Sequence, residues 1–493
     1  MILVFVLPVV FMLLLGSIFC IHVYTDVKER SFVTQSIATL TVFASLCAMF
    51  LLPVDVYFLG KSTPDGHDVV KVLYLGIYSF LAISAFAMLP FAYFYYEEED
   101  GMNESLPRAY RSCKYTISFV AAFVFLISAL VLFDLHHLLE EDNKSRLLDI
   151  FSVIMGIMIA IGHLGWMTYS AYGLAWLPII MFESRKTSPS RTLASSTPNQ
   201  DSELVKLHSQ EEQLQARYVS LPQSAWSRED RLELAKLQHR EAQLALNCDN
   251  YAIAQQSPSS PSLANLGRCL VGCLFFLCSV LIATSLVLSV TDKVINSKCG
   301  FFCGYKSDQT LPNPIDMLLS YASLAFPLDF ICFAFIALYL FLATLTGLVQ
   351  LGVRIVFIKL YNIRAYRTKQ NALLMAVWLI VFVLLAVNVQ TLVLAPHYAS
   401  FGSQTVVGDD GRNQPCQFND AGRNCQVSEL FKLDQLLSDN MPLLGGLLFF
   451  SNIAMLLVYF ATTIWTCCTK NRRDLAHLRD IEDTDDLAEY LVS

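Results

Sequence analysis

The chain reads as an all-α polytopic membrane protein of about nine transmembrane helices with a cytosolic helical hairpin, and three observations lead there. Of its 493 residues, 55% are hydrophobic and only 15% are charged, with a mean hydropathy of +0.49. Apolar runs of about twenty residues or more, each long enough to cross a bilayer, recur along the whole length. The charged residues between them are segregated by side, so the net charge of -8 says little about partners. This composition excludes a large soluble enzyme. Fourteen cysteines would mark a disulfide scaffold only in a small secreted chain; here most fall inside spans or on the side read as cytosolic.

Carboxylates inside apolar runs are the first functional candidates. Phe326-Pro327-Leu328-Asp329 opens a segment that stays apolar to about Val349, and Pro53-Val54-Asp55 lies within Leu51 to Phe58. A carboxylate at mid-bilayer costs about 2.5 to 3.5 kcal/mol on insertion scales, so its presence asks for a role. Proline lacks an N–H and disfavours helix at the residue before it, which predicts a break beside each aspartate. Discontinuous membrane helices look like this in sequence. The other reading is that each Pro-x-Asp only marks where lipid gives way to headgroups.

Ile2 to Val23 is expected to be an uncleaved first span, because it has neither the basic start nor the small-residue cleavage site of a signal peptide. Span 2, Phe32 to Leu59, carries Asp55 near its far end. Gly60-Lys61-Ser62 imitates the tail of a phosphate loop, but Asp55 stands where the first glycine of that pattern belongs. No nucleotide-binding fingerprint occurs elsewhere, so any ATP dependence has to come from a partner. Span 3, Val72 to Tyr96, ends in an interfacial belt of Tyr93, Tyr95 and Tyr96, followed by a solvated acidic run, Glu97 to Asp100. Span 4 runs from Tyr115 to Phe133. The loop after it holds His136, His137 and the glycosylation pattern Asn143-Lys144-Ser145. Span 5 lies within Leu148 to Ile180, is long for one crossing, and offers Gly156, Gly162 and Gly165 for close helix contact. His163 near its middle is either a proton site or a histidine bonded to a neighbouring helix.

From Glu183 the composition changes abruptly. Ser184 to Gln200 and Ser257 to Ser262 are linker-like, and two polar helical stretches between them turn at Leu221-Pro222, which predicts an antiparallel hairpin. Tyr218-Val219-Ser220-Leu221 fits the tyrosine-based pattern read by endocytic adaptor proteins. The expected organisation is therefore spans 1–5 in 1–182, the cytosolic loop in 183–268, spans 6–9 with lumenal loops in 269–467, and an acidic cytosolic tail in 468–493.

Span 6, Cys269 to Val290, is flanked by Cys299 and Cys303, and Leu311 to Ala325 looks like an interfacial or re-entrant piece leading into span 7. After span 7 comes the densest basic stretch, with Arg354, Lys359, Arg364, Arg367 and Lys369. Span 8, Ala372 to Leu394, carries Asn388 and Gln390 near its end, and span 9 runs from Leu443 to about Trp465. Cys467 and Cys468 sit at the membrane edge, where palmitoylation is common. The loops containing Lys28, Arg108, Arg240, Arg364 and Arg472 hold most of the 34 basic residues, which sets the N-terminus lumenal or external and the C-terminus cytosolic. This orientation places Asn143 where glycosylation occurs and Cys416 and Cys425 in an oxidising compartment, as the preferred disulfide. Asp55 and Asp329 then both lie toward the lumenal side.

Five stretches carry a family resemblance: Leu51 to Phe58, Pro90 to Glu98, Tyr169 to Leu174, Lys359 to Arg364 and Ala395 to Gln404. Together they resemble the limb-region-1-like membrane proteins, over nearly the whole chain. The resemblance implies nine spans, a lysosomal membrane, export of cobalamin to the cytosol and partnership with an ATP-binding cassette transporter. It implies no resident cofactor, cobalamin being the transported ligand. The family offers no substrate residues to carry over, so the candidate polar path of Asp55, His163, Asp329, Asn388 and Gln390 rests on the residues themselves.

Three function classes make different demands on such a chain. A transporter needs that path, between spans 2, 5, 7 and 8. A receptor or trafficking adaptor, similar to proteins viewed as lipocalin receptors, needs only packed spans that display a lumenal surface. An intramembrane aspartyl protease needs two carboxylates sharing a proton, and its Gly-x-Gly-Asp pattern is missing at Phe326 to Asp329, so no enzyme is expected.

Overall fold

The computed structural model describes residues 2–26, 31–61, 64–98, 108–134, 145–182, 261–296, 301, 311–355, 358–366, 368–407, 413–416 and 425–468. The chain is an all-α polytopic membrane protein. Eight helical segments among the described residues are long and apolar enough to cross a membrane: Phe5–Tyr24, Phe32–Gly60, Asp68–Glu97, Phe151–Phe182, Leu266–Asn296, Leu328–Leu351, Gln370–Leu394 and Leu443–Thr466. The expected fourth span falls on a further helix of 27 residues, Arg108–Asp134.

In chain order the helices are α1 (Ile2–Tyr24), α2 (Phe32–Met49), α3 (Leu51–Lys61), α4 (Pro64–Ile83), α5 (Leu89–Glu97), α6 (Arg108–Asp134), α7 (Ser145–Gly165) and α8 (Ala171–Phe182). They continue as α9 (Pro261–Asn296), α10 (Pro314–Ala322), α11 (Leu328–Leu351), α12 (Gln370–Leu394), α13 (Pro396–Phe401), α14 (Glu429–Asn440) and α15 (Pro442–Cys468). One π-turn, Ser84–Met88, joins α4 to α5, and another, Trp166–Ser170, joins α7 to α8. The long fifth segment thus continues as helix from Ser145 to Phe182, with an extra residue in its ladder at Trp166–Ser170.

The two expected breaks take different forms. At Asp329 the chain turns through Ser323 to Pro327 and helix resumes at Leu328, with Pro327 as the N-cap residue of α11. Near Asp55 the helix is interrupted at Phe50, three residues before Pro53. Pro53 then sits in the first turn of α3, where a missing N–H forfeits no intrahelical bond.

Two antiparallel hairpins were not visible in the sequence. The basic stretch after α11 forms β1 (Val353–Ile355) against β2 (Ile358–Tyr361), pairing Arg354 with Lys359. Gly352, at φ 72°, supplies the left-handed conformation that ends α11 before β1. Beyond α13, β3 (Thr405–Val407) pairs with β4 (Asn413–Pro415). The readings that fall on Asn143, Tyr218, Leu221, the hairpin between 183 and 260, Cys299, Cys303, His136, His137 and the acidic tail lie outside the described residues.

The chain divides into two compact units, Met1–Pro178 with Cys273–Thr463, and Ile179–Gly272 with Ile464–Ser493. In the second, Gly272 lies against Met181 and Phe182. In the first, α12 is the central helix, with 83% of its span buried against 17% for Phe5–Tyr24. It packs chiefly on α7 and α2. Glycine sets the closest approaches: a Cβ at Gly162 would overlap the Phe382 carbonyl of α12, and one at Gly347 would overlap the Tyr169 carbonyl. Small residues of this kind let backbones meet where lipid offers no hydrophobic drive between helices.

Gly347→Ala should therefore destabilise the protein by about 1 to 3 kcal/mol through overpacking, read as a lower thermal midpoint in detergent. Gly76→Ala, where no atom lies within 4 Å of the added Cβ, should leave the midpoint unchanged or slightly raised.

Candidate functional site

The polar groups of the first unit gather at two levels. The first is built around α13, a single buried turn that follows α12 directly. Ala395 and Pro396 stop α12, since the residue before proline disfavours helix, and Pro396 then opens the new turn where its missing N–H is tolerated. Tyr398, Ala399 and Phe401 are fully buried. Gly402 ends the turn at φ 60°, and a Cβ there would meet Val56 of α3.

Two carboxylates bond this segment, and a third bonds the start of α14. Asp316 lies in the first turn of α10, whose N-cap is Asn313, its side chain accepting from Ile315 N–H at 3.2 Å. Its Oδ1 accepts the Tyr398 N–H at 2.8 Å. Asp329, in the first turn of α11, accepts from the Tyr398 hydroxyl through Oδ2 at 3.3 Å. Asp55, in α3, accepts the Glu429 N–H through Oδ2 at 2.8 Å, at the start of α14. Ser428 caps that helix by accepting from Phe431 N–H at 3.1 Å, and its own N–H donates to the Ser400 carbonyl of α13 at 3.0 Å. Asp55 thus sits where an anion meets free amides and the positive end of a helix dipole.

The Cys416–Cys425 disulfide packs on Phe401 from the other side. His397 Nε2 bonds the Cys416 carbonyl at 3.0 Å, and Gln404 bridges Phe401 and Gln426. Burial pushes the Asp316 carboxyl above the usual range, offset in part by the Tyr398 and His397 amides and by the His397 ring. Burial and the Asp329 carboxylate hold the Tyr398 phenol well above its ordinary value, so it acts as the donor.

The second level lies inside the bundle. His163 Nδ1–H donates to the Ile159 carbonyl at 2.7 Å, which leaves Nε2 to accept from Gln390 Nε2 at 2.9 Å. Asn388, two residues earlier on α12, donates to the Tyr78 hydroxyl of α4 at 3.1 Å. Of the five path candidates, then, His163 and Gln390 are in direct contact. Asp55, Asp329 and Asn388 each have a separate partner, and Asp55 and Asp329 share no hydrogen bond. One oxygen on each of Asp55, Asp329, Asn388 and Gln390 is buried without a partner. Among the described residues no group of three His, Cys, Asp or Glu side chains could hold a metal ion.

Asp316, Tyr398 and Ser428 belong to the site but drew no role from sequence. The available signals were Asn313-Pro314-Ile315-Asp316 as a helix start and Ala395-Pro396 as a stop.

Tyr398→Phe removes the one side-chain donor to Asp329, and thermal unfolding should report a loss of about 1 to 3 kcal/mol. An unchanged midpoint would show that the carboxylate is satisfied elsewhere. For Asp316 the sign is opposite to that of an ordinary salt-bridged acid. With its pKa raised on folding, the folded chain binds the proton more tightly, so its burial costs stability at neutral pH and the cost is relieved as pH falls through the raised value. Asp316→Asn should accordingly gain less thermal midpoint than wild type on acidification from about pH 7 to about pH 5.

Residues 1–251 match the model of the LMBR1-like membrane proteins. A protein of Ajellomyces capsulatus named "Probable lysosomal cobalamin transporter" is 30% identical over 81% of this chain and 75% of its own length. Proteins of the same name from Sclerotinia sclerotiorum and Nematostella vectensis are 26% and 29% identical, over 96% and 80% of this chain and 89% and 77% of their own lengths. No solved structure matches. The family model covers half of the chain and the relatives extend the match across both sets of spans, so the chain belongs to the LMBR1-like membrane proteins.

Proposed function

We propose that this protein itself moves cobalamin from the lysosome lumen to the cytosol, unaided when alone and with an ATP-binding cassette transporter as its partner in the membrane. The observation that carries this reading is the near full-length similarity to relatives named as probable lysosomal cobalamin transporters. The N-terminus is lumenal and the C-terminus cytosolic, as the sided Lys and Arg residues argue. In that orientation the α13 cluster, with Asp55, Asp316, Asp329 and the Cys416–Cys425 disulfide, faces the lumen, and Asn143 carries glycan. Substrate enters there and passes Asp329 and Asp55 toward His163, Asn388 and Gln390. The chain has no nucleotide-binding fingerprint, so a partner supplies any ATP-driven step. Catalysis by an aspartyl pair is disfavoured because Asp55 and Asp329 are bonded to different partners.

One observation favours a second reading, that of an accessory subunit or trafficking adaptor. The contact of α7 with α12 at Gly162, closed by the His163–Gln390 bond, leaves no space between those helices for a corrin ring in this conformation. Tyr218 and Leu221 would then recruit endocytic adaptor proteins.

Cobalamin efflux from liposomes with an acidic interior decides between the readings. Wild-type protein alone should release cobalamin, and Asp329→Asn should slow release by about tenfold or more, since losing a hydrogen-bonded charge is worth about 1.5 to 3 kcal/mol. Release only after the cassette partner is added, and unaffected by Asp329→Asn, would make the protein an accessory subunit.

A further inference from the structure

A cavity of about 300 Å³ opens between α5, α6 and α12, away from both polar levels. Its walls include Tyr93 and Phe94 of α5, Phe119 of α6, and Leu374, Met375 and Trp378 of α12. The polar atoms on these side chains are already engaged. Trp378 Nε1–H donates to the Ala85 carbonyl of the first π-turn at 2.8 Å, and the Tyr93 hydroxyl is bonded with Tyr361. The interior therefore accepts hydrocarbon and offers it nothing to hydrogen-bond.

One helical turn beyond the lining residues the chemistry differs. Asn371 lies one helical turn before Met375, and Glu97 one turn after Tyr93, so both side chains share the cavity's face of their helices. Asn371 Nδ2 donates to Glu97 Oε2, whereas Asn371 Oδ1 is buried and has no donor. Both residues fall at the ends of spans Asp68–Glu97 and Gln370–Leu394, where hydrocarbon gives way to the interface. An unfilled buried acceptor costs about 1 to 3 kcal/mol, so it is a ready partner for a ligand hydroxyl.

We propose that this cavity is a binding site for a membrane 3-hydroxysterol, with the ring nucleus against Phe119, Met375 and Trp378 and the hydroxyl donating to Asn371 Oδ1. From Asn371 to Trp378 the helix rises about 10 Å, a depth suited to a fused ring system whose tail stays in the bilayer. Phosphatidylcholine has no hydroxyl to donate and would leave Asn371 unpaired. A flexible alkyl chain would also lose rotamer freedom on entry, which a rigid nucleus does not. The site is independent of the transported substrate.

The test is equilibrium binding of radiolabelled cholesterol to the full chain in phosphatidylcholine nanodiscs. Saturable binding to one site is expected, weakened about tenfold in Asn371→Leu, the equivalent of ~1.4 kcal/mol, and abolished in Leu374→Trp, which fills the cavity. Cholest-4-en-3-one, which presents a ketone in place of the hydroxyl, needs no mutation and should compete about tenfold less well than cholesterol against wild type, and equally well against Asn371→Leu. No saturable binding, or equal competition by the ketone against wild type, would overturn the proposal, as would retention of binding in a folded Leu374→Trp.

Discussion

The buried turn Pro396–Phe401 ties together elements of the first unit that are far apart in the chain, and the placement of its buried carboxylates depends on it. Its first amides are taken by Asp316, its tyrosine hydroxyl by Asp329, and its Ser400 carbonyl by the residue that caps α14, which in turn presents its Glu429 amide to Asp55. Each carboxylate would be expensive alone in an apolar setting. A hydrogen bond to a charged group returns about 1.5 to 3 kcal/mol and a helix N-terminus up to about 2 kcal/mol more, against an insertion cost of about 2.5 to 3.5 kcal/mol. The magnitudes are close, so losing a donor removes a large share of what offsets the burial of that carboxylate.

Below this cluster the bundle is governed by contact rather than charge. Gly162 and Gly347 let backbones touch, and the contact at Gly162 brings His163 to Gln390. Any separation of α7 from α12 would break the His163–Gln390 bond. One oxygen on each of Asp55, Asp329, Asn388 and Gln390 has incomplete hydrogen bonding in this packed state.

The spans were legible because an apolar run of about twenty residues has one physical meaning in any context. Asp55 and Asp329 stood out for the same reason, as charges within such runs. Their partners did not, because Glu429 is 374 residues from Asp55 and Tyr398 is 69 from Asp329, and no local period records a contact of that range. The helix break expected beside Asp55 falls at Phe50, three residues before Pro53, since proline in the first turn of α3 is compatible with helix. The β1–β2 hairpin was hidden in a stretch whose basic residues spoke for topology rather than for strand pairing.

Amide hydrogen exchange of the full chain in nanodiscs tests the central claim most directly. If carboxylates hold α13 and the start of α14, the amides of Tyr398 and Glu429 will exchange as slowly as those of α12, although both lie in what the sequence presents as a loop between spans. Exchange at the rate of an open loop at either amide would contradict the account, because neither amide would then be held by a carboxylate.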